Sequence, residues 1–183
     1  MTTQQPPWSD ERNAVDLPAQ FAPQEHWAWA RILRGYIADM SRYKGPRQAF
    51  DSFDAWLAGG EDGAGVDANE TASDAADAPL KPWPDHRVLS AAFMRLILFQ
   101  APYNTAPSRP YVRIACARFD AQMDWENEQF NGELGLYSCR FAKTANWLGL
   151  RIGRILNLSS SRFGGGFSAI SKIAIVNLIQ VDL

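Results

Sequence analysis

The chain predicts an α+β fold in which N-terminal helices cap a short parallel β-helix of about 22 residues per coil. Three observations carry that prediction. Apolar residues fall at helical spacing in residues 24–58 and again in 81–110. An acidic segment almost free of large side chains, 59–80, separates those two regions. Over residues 111–183 large apolar residues recur every eleven positions.

Residues 1–23 are rich in Pro, Gln, Asp and Asn without a period, which predicts a disordered arm. A helix follows in PQEHWAWARILRGYIADMSRYKG, where Trp29, Leu33, Tyr36, Ile37 and Met40 share one side; Pro23 and Glu25 suit its start and Gly45–Pro46 its end. A second short helix in RQAFDSFDAWLAGG groups Phe50, Phe53, Trp56 and Leu57. Between Gly59 and Pro79 every charge is acidic: Glu61, Asp62, Asp67, Glu70, Asp74 and Asp77. With so little to bury, that stretch cannot offset its ordering entropy and reads as a flexible linker. In 81–110 the stripe Leu89, Phe93, Leu96 and Ile97 predicts a helix that lids the first coil, with Arg95 solvated or snorkelling, Pro102 ending the helix, and Pro107 and Pro110 stiffening the way into the repeat.

Phe119, Phe130, Phe141, Ile152 and Phe163 stand eleven residues apart. Four positions after each come Met123, Leu134, Ala145, Leu156 and Phe167; six positions after come Trp125, Leu136, Trp147, Leu158 and Ala169. A helix of that period would place the last set on a different face, and the repeated glycines would erode it. Extended strands separated by turns such as YSCR and SSSR fit better. At twice the spacing the columns sharpen: Val112, Leu134, Leu156 and Leu178; Ile114, Leu136 and Leu158; Phe119, Phe141 and Phe163; Trp125 on Trp147. In QFNGELGLYSCRF, Phe130 and the leucines are expected inside, and Asn131, Glu133 and Tyr137 outside. The glycines of FGGGF suit tight corners.

The unit FNGELGL matches F-x-G-x-L-x-L throughout, while FDAQMDW, FAKTANW and IGRILNL match its apolar places. In this the chain resembles the bacterial pentapeptide-repeat proteins and their looser relatives. HWAWARILRGYIADM followed by RVLSAAFMRLIL is similar to the helical prelude of uncharacterised members. The resemblance implies a right-handed parallel β-helix and brings no catalytic motif with it. It also implies an alternative role as the N-terminal module of a larger, membrane-associated repeat protein.

The net charge of −2 leaves no global field to steer the chain toward nucleic acid or anionic lipid. No stretch is long and apolar enough for a transmembrane helix and no export leader is visible, so a cytoplasmic location is expected. Cys116 and Cys139 read as small buried residues, and His26 and His86 lack metal-ligand spacing, so neither metal nor cofactor is predicted. Asp120, Asp124, Glu126 and Glu128 read as acids on a solvated wall. One polar feature stands out: Arg118, Arg140 and Arg162 align at the coil spacing, with Arg151 at the corresponding place on the other half. These four are the candidate interaction ridge. Nucleic acid is disfavoured because the aromatics are expected inside instead of forming stacking platforms.

The functional expectation is a noncatalytic interaction or scaffold module. Its partner is an unspecified protein, or a second copy meeting it end to end where the pattern runs uncapped to Leu183. An enzyme with its site at the junction of helices and first coil would need a pocket holding His86 with a carboxylate or Cys116.

Overall fold

Helix α1, Pro23–Leu33, begins at a proline whose missing amide the first turn would leave unpaired anyway. The Glu25 carboxylate accepts a hydrogen bond from the Ala22 amide at 2.8 Å. The helix stops earlier than its apolar spacing predicts. Gly35 takes φ +76°, and its amide bonds back to the Ile32 carbonyl at 2.9 Å, a left-handed ending that glycine reaches without steric cost. Tyr36 and Ile37 therefore lie beyond the helix, 53% and 41% exposed, and Ala38–Asp39 forms strand β1 instead of a further turn.

The structure, a computed structural model, describes residues 15–59, 83–107 and 110–168, together with the backbone of 172–177. Most of the predicted acidic linker lies outside these residues. So does most of the predicted N-terminal arm, but its described part is packed. Leu17 is buried, Phe21 meets Phe93 edge to face, and the Val15 carbonyl accepts from the Trp29 indole at 2.7 Å.

The second predicted helix is confined to α2, Phe53–Ala58, where Ser52 Oγ accepts from the Ala55 amide at 3.0 Å. Helix α3, Ala91–Phe99, is capped in the same way by Ser90. It buries Phe93, Met94, Ile97 and Leu98, which rotates the predicted stripe away from Leu96. Leu89 precedes the cap and is buried because its amide joins the Arg118 carbonyl at 3.0 Å.

Three parallel sheets follow. The first joins β1, β2 (Tyr111–Ala115), β6 (Glu133–Tyr137), β9 (Arg151–Asn157) and β12 (Lys172–Asn177), with β5 (Gln129–Phe130) also paired to β9. The second joins β3 (Arg118–Phe119), β7 (Arg140–Phe141) and β10 (Arg162–Phe163). The third joins β4 (Met123–Asp124), β8 (Ala145–Asn146) and β11 (Phe167–Ser168). Val112 lies opposite Leu134 and Leu134 opposite Leu156; Phe119, Phe141 and Phe163 are likewise in register. These pairs realise the predicted 22-residue spacing. Inside, the three phenylalanines stack at 4.8 and 4.3 Å, and Trp125 stacks on Trp147 at 4.5 Å.

The two eleven-residue units of each repeat are not equivalent. One bends between Phe119 and Met123 and so supplies strands to two sheets, whereas Phe130 to Leu136 lies along the first sheet alone. Two units thus make three walls. The bends recur at fixed places: Cys116, Ser138 and Ser160 have φ of 56°, 50° and 59°, and Asn127 is followed by Gly149 at 57° and 72°. Such left-handed residues turn the chain sharply between strands. At another corner, a Cβ on Gly165 would stand 2.4 Å from the Lys143 carbonyl carbon, so only glycine permits that approach.

One predicted column changes partner. Val176, not Leu178, stands opposite Leu156, because β12 pairs with β9 through a register shift between Ile173 and Ile175. Strand β9 carries an extra residue at Gly153–Arg154 that the straight KIAIV run does not match. Glu133 faces outward as expected but is shielded there. It is only 9% exposed, lying on the wall against Arg113 at 2.7 Å.

Each sheet is covered at its N-terminal edge, where unpaired strand amides and carbonyls would otherwise invite association. Strand β1 pairs with β2, and Val88 bridges Arg118 on the second sheet. On the third, Arg95, exposed as expected, donates to the Asp124 carbonyl at 3.2 Å and also pairs with Glu128. Glu25 ties the cap together, since its second oxygen accepts from the Ser90 amide at 2.7 Å.

Candidate interaction surface

The interior bounded by the three sheets is filled by side chains. Phe119, Met123, Trp125, Leu134, Leu136, Phe141, Trp147 and Leu158 are each at most 1% exposed. Ser161 is a buried polar exception, its hydroxyl accepting from the Cys139 amide at 3.0 Å and donating to the Leu136 carbonyl at 2.7 Å.

Three of the four candidate arginines form one ladder on the second sheet, Arg118 beside Arg140 beside Arg162. Registered strands bring like charges within about 5 Å of backbone spacing, so each guanidinium needs compensation. Arg118 obtains it from Asp120 at 2.8 Å and Asp85 at 3.1 Å, and also donates to the Trp83 carbonyl. The hydrogen bond to Asp120 raises the Arg118 pKa above its ordinary value. Arg140 is 6% exposed and lies over the Trp83 ring at 4.2 Å, with Arg87 also over that ring at 5.1 Å. Arg162 is half-buried and engaged as well. Arg151 stands apart on β9 of the first sheet, exposed, between Gln129 and Lys172 in register.

The junction predicted for an enzyme is packed. Met40 and Cys116 are at most 1% exposed and Tyr43 is 5% exposed. His86 lies outside this packing, its ring 6.3 Å from that of Tyr43; burial, then Arg87 and Lys44, lower its pKa. Burial, reinforced by Asp39, pushes the Cys116 thiol up to about 12. A thiol so held is protonated at neutral pH and is a poor nucleophile. Cys139 is pushed up further by its burial, and its Sγ rests against the Ile114 and Tyr137 carbonyls.

A cleft of about 410 Å3 opens between Arg31, Tyr36, Arg42, Asp54, Leu57 and Ala58. Its Arg31 is committed to the fold, donating to the Ile37 carbonyl at 2.7 Å and the Leu57 carbonyl at 2.5 Å. Among the described residues no cluster of His, Cys, Asp and Glu has metal-binding geometry, and no helix is long and apolar enough to cross a membrane.

The residues missed by sequence reasoning are on the outer face of the first sheet. Tyr111 lies beside Arg113, 4.9 Å from its ring, and Arg154, 5.7 Å from it, and its hydroxyl accepts from Arg154 at 2.9 Å. Strict alternation from Ile152 would turn Arg154 inward. The signal for its exposure was Gly153, a glycine inside a strand pattern, which marks a bulge.

Comparison with known proteins adds no identity: no family model, curated protein or solved structure matches the chain.

Proposed function

We propose that the chain is a noncatalytic interaction or scaffold module, built as a right-handed parallel β-helix related to the pentapeptide-repeat proteins. The observation that carries this reading is the 22-residue register that recurs in all three sheets, up to the shift at β12, around an interior of stacked aromatic and aliphatic side chains. Such an arrangement spends its apolar residues on the core and leaves three ordered outer walls for contact. The protonated, buried Cys116 thiol at the junction weighs against the enzymatic alternative.

The test is partner capture from a native extract with wild-type protein and three charge reversals, one per sheet: Arg154→Glu, Arg162→Glu and Asp124→Lys. The reading expects a protein retained by wild type and lost from one variant but kept by the others. Identical recovery from all three variants, or turnover of a substrate requiring His86 or Cys116, would contradict it.

A further inference from the structure

We propose that the outer face of the first sheet, centred on Arg151 and Arg154, binds an acidic peptide segment of a partner protein. The proposal rests on the interaction-module reading and assigns that module a surface and a ligand chemistry.

The strands of this face carry unbalanced charge. Across β1, β2, β5, β6 and β9 the charged residues are Asp39, Arg113, Glu133, Arg151 and Arg154; Asp39 accepts from the Ser41 hydroxyl at 2.7 Å, and Arg113 already holds Glu133 at 2.7 Å. The Arg151 side chain makes no hydrogen bond or ion pair among the described residues. Its register neighbours are the neutral Gln129 and the basic position Lys172. Among the described residues the Arg154 side chain meets only Tyr111, a neutral group, and that contact uses one terminal nitrogen of the guanidinium. The remaining donors form an edge suited to bidentate binding of a carboxylate.

Arg154 is also positioned more firmly than an ordinary surface arginine. The bulge at Gly153–Arg154 turns it outward, and the Tyr111 hydroxyl and ring hold it there. A guanidinium fixed before binding loses less side-chain entropy when a partner arrives. Three residues of strand separate Arg151 from Arg154 by about 10 Å, a span that carboxylates two or three residues apart in an extended peptide can match.

A short acidic peptide suits this face better than nucleic acid does. The ring of Tyr111 is flanked by Arg113 and Arg154, which leaves no free row of aromatic platforms. A long polyanion would also meet the whole molecule, whose net charge is −2 and whose third sheet adjoins Asp120, Asp124, Glu126 and Glu128. A peptide senses chiefly the local patch, because charges beyond about 8 to 10 Å are screened at ordinary salt.

The experiment is fluorescence anisotropy with a labelled peptide of alternating Glu and Ala, at about 20 mM and about 0.15 M salt. Saturable binding that weakens with salt is expected. The double variant Arg151→Glu/Arg154→Glu should lose at least about tenfold in affinity, with unchanged circular dichroism. Lys143→Glu, which makes a single reversal at an exposed position outside this face, should change affinity less than about twofold. If the double reversal perturbs folding, Arg151→Gln/Arg154→Gln gives the same test with a loss in the same direction.

Absence of saturable binding at low salt overturns the proposal. So does an equal loss from Lys143→Glu, or tighter binding of oligothymidylate at the same two arginines. A failed titration alongside sheet-dependent partner capture removes this surface alone. Failure of both removes the interaction reading as well.

Discussion

Trp27 in the helical cap and Trp147 in the sheets are both 0% exposed, yet they are held by different kinds of contact. The Trp27 indole donates to the Trp56 carbonyl at 2.7 Å, its ring meets Tyr43 edge-on, and Arg31 lies over it at 5.1 Å. Each of those contacts occurs once. Trp147 stacks on Trp125 and meets Phe141, Phe163 and Phe167 edge-on, while its indole nitrogen has no hydrogen-bond partner among the described residues. The cap is specified by individual polar ties. The sheets are specified by repetition, where each ring finds an equivalent ring one repeat away.

The sharpest way to break that contrast is Trp147→Ala. It empties a position between four aromatic rings, and a loss of about 3 to 5 kcal/mol is expected in urea unfolding. A loss below about 1 kcal/mol would mean that the column does not carry the sheets.

Glu25→Ala examines the opposite style of construction. It leaves the Ala22 and Ser90 amides without their acceptor, at a cost of about 1 to 3 kcal/mol. Glu25→Gln, which keeps one carbonyl oxygen, should cost less. Hydrogen exchange should accelerate in α1 and α3 while the β6 amides stay protected; uniform acceleration would mean that cap and sheets open as one unit.

Gly165→Ala places its new methyl against the Lys143–Thr144 backbone and should cost about 1 to 3 kcal/mol. Thermal unfolding checks it. A neutral result would show that this corner can shift without disturbing the repeat.

The smallest expected effect is acid sensitivity of the cap. Burial lowers the pKa of His26, and burial with Arg87 and Lys44 lowers that of His86. Both histidines bind protons more readily in the unfolded chain, where the reference value is 6.5. Their contribution is therefore present above about pH 6.5 and is lost as the pH falls through the lower folded values. The melting temperature should drop between about pH 7.5 and about pH 5.5, and His26→Gln/His86→Gln should flatten that drop. An unchanged drop would assign it to other groups.

The same contrast explains what the sequence made legible. Repetition writes itself into the chain, so Phe119, Phe141 and Phe163, Leu134 and Leu156, and the two stacked tryptophans could be paired by counting. Single ties leave no period. The strand Ala38–Asp39 exists because β2 offers it an edge, and Tyr36, Ile37 and Met40 at helical spacing masked the stop at Gly35. The 22-residue count also failed at Val176, where a bulge in one strand has no counterpart in the next.

Among the candidate arginines, alignment identified the ladder on the second sheet. It could not supply the Asp85, Asp120 and Trp83 contacts, two of which come from outside the repeat. The less engaged pair, Arg151 and Arg154, depended on a bulge and on a tyrosine more than forty residues away. Periodicity was silent there.

The most direct test of the repeat register is an insertion. Duplicating residues 129–150 adds one full 22-residue repeat and returns the chain to the same wall, whereas duplicating residues 130–140 adds eleven and shifts strands between walls that are not equivalent. The longer insertion should give a cooperatively folding protein with a larger urea m-value, because more surface is exposed on unfolding. The shorter one should unfold earlier and broadly. Equal tolerance of both, or better folding of the shorter insertion, would contradict a structure built on stacked repeats of that length.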